Sequence, residues 1–500
     1  MLVKVLSSSY LGIEPYLVEV EVDVTNGLPI FNIVGLGDAT ISESRDRIRS
    51  GIKNMGYLLE PRRIVVNLTP ANIKKRGSHF DLPIAIGIMV GMKFLSDYRG
   101  VLKEYIMMGE LSLTGEVRRA EGIISGVLLA KSKGFKGVII PEENLEEASI
   151  IKDIQIVPVK NIRDVVKFIE EGIIRSKRIL NDNKIVLKDT LDMWDVKGQI
   201  RAKRALEIVA AGGHNIIMIG SPGSGKSMLA KRLITILPPM SEKEIIETTK
   251  IYSIAGELSE RVPIVTNRPF RDPHHTSTTS SIIGGGRLPK PGEISLANNG
   301  VLFLDEFTEF DRVVIESLRE PLEEKRISIT RSLGKMEFPA KLIFIAACNP
   351  CFCGNGFDEE LCTCTPYDLR RYMKKLSGPI IDRIDLYVEI YRLNDKEILD
   401  EERGDSSEKI KIRVIKAREI QNHRFNNEKL NRDMTNEDVE KYCSLNNECE
   451  NVMRTAIRTL NLSMRTYHKI LKVARTIADL DNKIEIEKSH ILEAINFRKN

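Results

Sequence analysis

The sequence contains no apolar run that approaches the roughly 18–20 residues that a membrane-spanning helix needs. Its first ten residues, MLVKVLSSSY, also lack the apolar core and the cleavage site of a secretory signal. These two absences argue against a membrane protein and a secreted protein. We therefore expect a cytoplasmic chain with no membrane partner.

The chain also lacks a large net charge. Its 75 Lys and Arg residues stand against 70 Asp and Glu residues, which leaves a formal charge of +5. The overall charge therefore indicates no nucleic-acid partner, and any basic binding surface must be local. A length of 500 residues with 42% hydrophobic residues is enough for two to four packed domains.

Cysteine is scarce, and its few positions are clustered. Five of the seven cysteines fall between Cys348 and Cys364. In a reducing compartment such a cluster favours a metal over disulfides. Four thiolates in two C-x-C pairs can satisfy tetrahedral Zn²⁺. The spacing predicts a structural zinc site, with four free thiols as the alternative, and its ligands would be Cys351, Cys353, Cys362 and Cys364.

A glycine-rich loop follows a short apolar run and precedes a helical pattern. Residues 220–227 read GSPGSGKS and fit the phosphate-loop pattern G-x-x-x-x-G-K-[ST]. Glycine lets backbone N–H groups approach phosphates, Lys226 would reach the β- and γ-phosphates, and Ser227 would offer its hydroxyl to Mg²⁺. The predicted ATP-binding residues are Gly220, Ser221, Pro222, Gly223, Ser224, Gly225, Lys226 and Ser227.

A second motif lies about eighty residues further on. Residues 301–306 read VLFLDE, four apolar residues followed by two carboxylates. A buried strand that ends in such a pair is typical of a Walker B element. Asp305 would hold Mg²⁺, and Glu306 would orient or deprotonate the attacking water.

Several further stretches resemble one family across nearly the whole chain. These are NPCFCG at 349–354, CTCTP at 362–366, SGPIIDRID at 377–385 and VARTIADL at 473–480. Together they resemble the ComM/YifB family of magnesium-chelatase-like AAA+ ATPases. The resemblance implies a hexameric ring, a homo-oligomer that uses ATP and Mg²⁺ to translocate on single-stranded or branched DNA and drives branch migration in recombination and in uptake of foreign DNA.

The resemblance also implies roles for three polar residues. Asn349, at the end of an apolar strand, matches sensor 1, and Arg383 matches the arginine finger that completes the site of a neighbouring subunit. The alternative for Arg383 is a surface ion pair with Asp382 or Asp385. Arg465 matches sensor 2 and would contact the γ-phosphate of its own subunit, although a basic amphipathic helix is the simpler explanation.

Residues 324–339 read as two strands joined by a turn at 332–334. They resemble the pre-sensor 1 hairpin of the same branch, which would place Arg331 and Lys335 on DNA phosphates; a solvated surface hairpin is the alternative. The preceding insertion, residues 268–290, carries His274 and His275, for which we expect no metal because no cysteine or acid cluster lies close in sequence.

The first third of the chain resembles the proteolytic domain of the Lon family, through GELSLTGEVRRAEGI at 109–123 and GFKGVIIPEEN at 134–144. That protease needs a serine and a lysine. Here Asp81 stands at the serine position and Ile124 at the lysine position, and neighbouring Ser78 and His79 lack an evident base partner. We therefore expect a scaffold that packs against the motor or holds nucleic acid.

The predicted fold class is α/β: an N-terminal Lon-protease-like α+β domain at 1–172, a linker at 173–194, a central P-loop AAA+ α/β domain with a parallel sheet at 195–395, and a C-terminal helical lid at 396–500. Two alternatives to the DNA motor are an ATPase subunit of magnesium-chelatase type that acts on a protein partner, and an ATP-dependent Lon-like protease.

Overall fold

Strands and helices alternate along the first part of the chain. The protein was analysed as a computed structural model, which describes residues 1–498 except 36, 38, 76, 175–190, 287–288, 332–333, 358–360, 376–377 and 393–403. The elements up to residue 171 are β1 (Leu2–Leu11), β2 (Glu14–Thr25), β3 (Phe31–Val34), α1 (Ala39–Asn54), β4 (Arg63–Thr69), α2 (Asp81–Gly91), α3 (Val101–Glu104), β5 (Tyr105–Met107), β6 (Glu110–Leu111), β7 (Val117–Arg118), α4 (Ile123–Lys133), β8 (Gly137–Pro141), α5 (Leu145–Ser149), β9 (Gln155–Val159) and α6 (Ile162–Glu171).

The strand β2 shows why this part folds as a sheet covered by helices. Its alternate valines, at positions 18, 20, 22 and 24, are buried, while the residues between them are partly exposed. The helix α2 is buried along its whole length and packs against that apolar face. The approach is close, since a Cβ on Gly87 would lie 2.6 Å from Cγ2 of Val22. A parallel three-stranded sheet, in the order β5-β8-β9, forms the second layer of strands.

The turn pattern Asn26-Gly27 predicts a hairpin in which residues 28–34 return along β2, and this prediction is wrong. The sheet order is β1-β2-β4-β3, so β4 lies between β2 and β3. Val66 of β4 is opposite Val22 on one side, where the pairing is antiparallel, and opposite Ile33 on the other, where it is parallel. The longer apolar strand β4 takes the central position, and long-range pairing overrides the local turn signal.

The central part of the chain is built on a second sheet. Its elements are α7 (Ile200–Gly212), β10 (Ile216–Gly220), α8 (Lys226–Ile236), α9 (Glu242–Ala255), β11 (Phe270–Arg271), α10 (Thr279–Ile283), β12 (Gly284–Gly285), β13 (Lys290–Pro291), α11 (Glu293–Leu296), β14 (Val301–Leu304), α12 (Arg312–Ser317), α13 (Arg319–Glu324), β15 (Arg326–Arg331), β16 (Gly334–Pro339), β17 (Ile343–Cys348), α14 (Pro366–Lys375), α15 (Gly378–Ile381) and β18 (Leu386–Ile390).

Five of these strands form a parallel sheet in the order β11-β14-β17-β10-β18. The strands β10, β14 and β17 are almost entirely apolar and buried, as both faces of a parallel sheet require. Because all five run the same way, the residues that follow β10, β14 and β17 meet at one edge. This sheet and the helices that follow it are consistent with an AAA+-like fold of the α/β class. The Lon-like assignment of the first part remains a prediction.

The last hundred residues are helical in the part that the structure describes. The helices are α16 (Ser407–Phe425), α17 (Asn436–Tyr442), α18 (Asn447–Leu460), α19 (Met464–Leu480) and α20 (Lys488–Asn496). The buried face of α19, which includes Val473 and Ile477, shares one apolar cluster with Ile216 and Met218 of β10. This packing joins the helical part to the central sheet. None of the described helices is both long enough and apolar enough to cross a bilayer.

The first part of the chain contacts the central part through a buried carboxylate. Glu147 of α5 accepts a hydrogen bond from the hydroxyl of Ser253 in α9 at 2.6 Å, and that hydroxyl accepts one from the N–H of Gly122 at 3.1 Å. Burial raises the pKa of Glu147, although hydrogen bonds from Ser253 and Asn144 oppose this effect. These contacts pack the first part of the chain against the side of the central part.

The predicted linker at 173–194 falls mostly on residues 175–190, which lie outside the described residues. Its last residues already pack, since Met193 is buried and its N–H donates to the hydroxyl of Ser407 at 2.8 Å. The predicted boundary at 395 also lies outside the described residues. The domain limits therefore stay predictions.

Candidate active site

The phosphate loop, residues 220–227, lies where β10 ends and α8 begins. Gly223 and Gly225 have φ angles of 76° and 93°, a region that side chains disfavour. A Cβ on Gly220 would lie 2.4 Å from the carbonyl oxygen of Ile390, so only glycine fits beside β18. The loop therefore turns its N–H groups and the N-terminus of α8 toward one space, which is the geometry that binds phosphate.

Lys226 is folded back onto this loop. Its ammonium donates to the carbonyl oxygens of Gly220 at 2.6 Å and Ser221 at 3.0 Å, and to Oδ1 of Asn349 at 3.3 Å. Burial lowers the pKa of Lys226, and the nearby Asp305 carboxylate opposes this effect. The end of β17 thus brings Asn349 to Lys226, and the roles expected for the two residues stay predictions.

The two residues expected to hold Mg²⁺ are in contact. The Ser227 hydroxyl donates to Oδ2 of Asp305 at 2.5 Å, and the other carboxylate oxygen accepts the N–H of Glu306 at 2.9 Å. A hydroxyl beside a carboxylate is an oxygen pair of the kind that Mg²⁺ prefers. The residues present therefore fit the metal, and Ser227 and Asp305 would hold it beside the phosphates.

Glu306 has a partner that sequence reasoning missed. Its carboxylate Oε2 lies 3.1 Å from Nδ1 of His275, in the insertion between α9 and β14. Glu306 itself has a left-handed backbone, with φ of 50°, a conformation that residues with side chains rarely adopt. The imidazole would orient the carboxylate that acts on water. The sequence offers no local signal for this contact, because the two residues are 31 positions apart.

Arg383 lies at the opposite end of β10 from the phosphate loop. Its carbonyl oxygen accepts a hydrogen bond from the side chain of Asn215, the residue before β10, at 3.0 Å. The N–H of Asn215 in turn donates to Asp385 at 2.9 Å. A strand of five residues spans roughly 16 Å, so Arg383 cannot reach the nucleotide bound to its own loop. The role expected for Arg383 in the site of a neighbouring subunit stays a prediction.

Arg465 lies with Arg383 and not with the phosphate loop. Both guanidinium groups contact the carboxylate of Glu323 in α13, and the Arg383 distance is 2.6 Å. All three side chains line a cavity of 430 Å³, which also holds Lys469 and Lys472. The expectation that Arg465 touches the γ-phosphate of its own subunit does not fit this position. The packing of α19 against the base of the sheet carries Arg465 to the same end of the sheet as Arg383.

Arg383 forms an ion pair with Glu323, a partner that the suggested surface ion pair with Asp382 or Asp385 did not include. The Asp385 carboxylate has other partners within the chain, which hold it in place. Burial would raise the pKa of its carboxyl, but a hydrogen bond from His214 and the charge of Lys469 lower it to about 2. This carboxylate fixes the start of β18, and through it the position of Arg383.

The protease alternative depends on residues 78–81 and 124. Asp81 is buried and accepts hydrogen bonds from Arg47 at 2.7 and 3.2 Å. Burial raises the pKa of Asp81, although Arg47 opposes this effect. Ile124 is buried in an apolar cluster, Ser78 contacts Glu110, and Nε2 of His79 lies 2.8 Å from the carbonyl oxygen of Ser8. These partners hold the residues in structural roles.

The four cysteines predicted as zinc ligands come together after β17. Their sulfur atoms all lie within 4.8 Å of one another. The described residues of the loop that carries them, 350–357 and 361–364, are called the cysteine loop here.

Replacing Glu306 by glutamine is expected to lower ATP turnover by about 10²–10⁴-fold, the usual contribution of a general base. ATP binding should persist, because Lys226 and the loop N–H groups are unchanged. Steady-state hydrolysis and a filter-binding assay with labelled ATP check this prediction. Glu309→Gln, an exposed carboxylate three residues on, is the matched control and should hydrolyse normally. Normal turnover in Glu306→Gln would show that another group activates the water.

Comparisons with known proteins cover the whole chain. Family models match residues 20–144 ("Subunit ChlI of Mg-chelatase"), 192–398 ("Magnesium chelatase, subunit ChlI") and 404–498 ("Magnesium chelatase, subunit ChlI C-terminal"). The chain is 41% identical to competence protein ComM of Haemophilus influenzae over 99% of its own length and 97% of the relative. It is 40% identical to the uncharacterized protein YifB of Escherichia coli, over 98% of its own length and 95% of that protein. An uncharacterized MCM-type protein of Methanocaldococcus jannaschii is 28% identical over 36% of this chain and 20% of that protein.

Proposed function

The chain belongs to the magnesium-chelatase-like family of AAA+ ATPases that includes ComM and YifB, and from that premise we propose that it is a ring-forming motor that hydrolyses ATP to translocate on DNA. Membership implies the use of ATP and Mg²⁺. The motor action, the hexameric ring and the DNA partner are the proposal. Its most specific form is branch migration of recombining strands.

The placement of Arg383 carries the ring part of the proposal. A guanidinium that lies at the opposite end of β10 from its own phosphate loop serves catalysis only if a second subunit brings its nucleotide there. The cavity beside Glu323 holds Arg383, Arg465, Lys469 and Lys472, so it could accept the phosphates of such a nucleotide. Head-to-tail contacts of this kind generate a closed ring when the rotation between subunits closes, and we propose that it does so here.

Two adjacent hairpins support the DNA part of the proposal. The strands β15 and β16 pair antiparallel, with Arg331 opposite Gly334 and Lys335 opposite Thr330; residues 332 and 333 of the predicted turn lie outside the described residues. The hairpin β12–β13 packs alongside, since a Cβ on Gly284 would lie 3.3 Å from Ile329.

The charge on this surface is local and basic. Arg331 and Lys335 are exposed near the tip, and Lys335 also pairs with Glu337 at 2.7 Å. Phosphates attract such side chains without reading sequence, which suits a motor that moves along any strand. A net charge of only +5 means that nucleic-acid affinity must come from a local basic surface, and these hairpins are the contact that we propose.

The test is the ATPase rate with and without single-stranded DNA at low and moderate salt. We expect stimulation by DNA that weakens as salt rises. Absence of both stimulation and salt-sensitive DNA binding would contradict the motor and favour an ATPase that acts on a protein partner.

The double substitution Arg331→Ala with Lys335→Ala is expected to weaken binding of single-stranded DNA and to lower the slope of log affinity against log salt by about 1.4, since each lost phosphate contact contributes about 0.7. Basal ATP hydrolysis should stay unchanged, because both residues lie outside the ATP site. Fluorescence anisotropy with a labelled oligonucleotide measures the slope. The matched control is Lys409→Ala with Lys416→Ala, two exposed lysines of α16. An equal loss in the control would assign binding to general charge.

A further inference from the structure

The cysteine loop has the geometry of a metal site. The sulfur of Cys351 lies 3.2 Å from that of Cys353 and 3.9 Å from that of Cys362, and the Cys353 and Cys362 sulfurs are 3.7 Å apart. Thiolates at about 2.3 Å from a tetrahedral Zn²⁺ are separated by roughly 3.8 Å. Cys364 completes the set, because all four sulfurs lie within 4.8 Å of one another.

Little else in the described part of this loop holds it in shape. Between β17 and α14, residues 350–357 and 361–365 contain turns and no regular helix or strand. Cys351 is buried, whereas Cys353, Cys362 and Cys364 are partly exposed, and none of them is in a disulfide. A polar loop of this kind gains its fixed structure from a bound metal.

The cysteine loop packs directly on the phosphate loop. Gly354 has a φ of 83°, and a Cβ there would lie 2.8 Å from Cδ of Pro222. Pro222 is the third residue of the phosphate loop, and its carbonyl oxygen also accepts a hydrogen bond from Arg392 at 3.4 Å. The cysteine loop therefore limits where the phosphate loop can lie.

A second contact leads to the Walker B turn. The Phe352 ring meets the Tyr372 ring edge to face, with centroids 4.9 Å apart. The Tyr372 hydroxyl lies 2.8 Å from the hydroxyl of Thr308, two residues after Glu306. The cysteine loop thus contacts the phosphate loop directly and the Walker B turn through Tyr372, and it follows Asn349 directly in sequence.

We propose that the cysteine loop binds one Zn²⁺ and that the zinc-bound loop is a brace that holds the phosphate loop in its ATP-binding position, through Gly354 on Pro222. The metal site rests on the four thiols alone. Its effect on nucleotide binding rests on the proposed ATPase function.

The first measurement is metal content. The full-length chain, purified without an affinity tag and without added metal, should contain about one zinc per chain by inductively coupled plasma mass spectrometry. Cys353→Ser with Cys362→Ser should lose it, and Thr363→Ala, an exposed neighbour that keeps all four thiols, should retain it. Cobalt should replace the zinc and give the visible bands of tetrahedral thiolate ligation. A zinc-free wild-type chain, or a Cys351–Cys353 disulfide found by mass spectrometry, would overturn the metal site.

The second measurement is the affinity for a fluorescent ATP analogue. Loss of zinc should weaken binding about tenfold, as should Gly354→Ala, which keeps the zinc but places a methyl group against Pro222. Thr363→Ala should bind as the wild type does. Wild-type affinity in both Gly354→Ala and the zinc-free variant would overturn the brace. Failure of the wild-type chain to bind ATP would overturn the proposed function instead, and the metal analysis would still decide the zinc site.

Discussion

Lys226→Ala is expected to reduce ATP hydrolysis at least about 10²-fold, the scale of losing one preorganised group that stabilises transition-state charge. The ammonium is folded back onto two loop carbonyl oxygens and Asn349, so it lies beside the space that the β- and γ-phosphates would fill. Its removal takes one positive charge away from a partly buried phosphate site. Alanine keeps the helix α8 intact, so the fold should persist.

The measurement is steady-state phosphate release, with ATP affinity measured in parallel. The matched control is Lys231→Ala, an exposed lysine five residues further along α8. It should retain nearly full activity, and both variants should unfold at the temperature of the wild type. Equal losses of ATP hydrolysis in the two variants would mean that α8 does not tolerate substitution in general. The role of Lys226 would then be unsupported.

Arg383→Ala is expected to lower ATP turnover at least as much as Lys226→Ala does. The expected loss is about 10³-fold or more, which is the range measured for arginine fingers. ATP affinity should change little, because Arg383 lies far from the loop of its own chain. Arg383→Lys should remain strongly impaired, since an ammonium does not reproduce the planar fork of a guanidinium.

Turnover at saturating ATP separates this effect from weak binding. Arg326→Ala, an exposed arginine at the base of the β15–β16 hairpin, is the control and should leave turnover without DNA unchanged. Sedimentation should show the same assembly for both variants. Wild-type turnover in Arg383→Ala would contradict the role of Arg383 as an arginine finger. Loss of assembly would show instead that Arg383 holds the subunits together.

The parts of the site that were predictable from the sequence are those encoded by contiguous residues. The phosphate loop follows from glycine spacing, and the Walker B pair follows from an apolar strand that ends in Asp305 and Glu306. Asn349 was predictable for the same reason, because it follows the end of the next buried strand. Each signal combines backbone geometry with chemistry within about ten residues.

The parts that failed depend on contacts between distant segments. The Asn26-Gly27 turn indicates a hairpin, yet β4 enters between β2 and β3 because pairing with a longer apolar strand buries more surface. The contact of His275 with Glu306 depends on how the insertion folds back over β14. The position of Arg465 depends on the packing of α19. No local sequence pattern indicates against which end of the sheet such a helix packs.

The central claim is that each ATP site is shared between two subunits. The most direct test mixes Lys226→Ala with Arg383→Ala protein, each inactive alone. In mixed rings about a quarter of the contacts should pair an intact phosphate loop with an intact finger, so the account predicts that ATP hydrolysis reappears on mixing. Activity that never exceeds the sum of the two variants, under conditions where labelled subunits are seen to exchange into common rings, would contradict it.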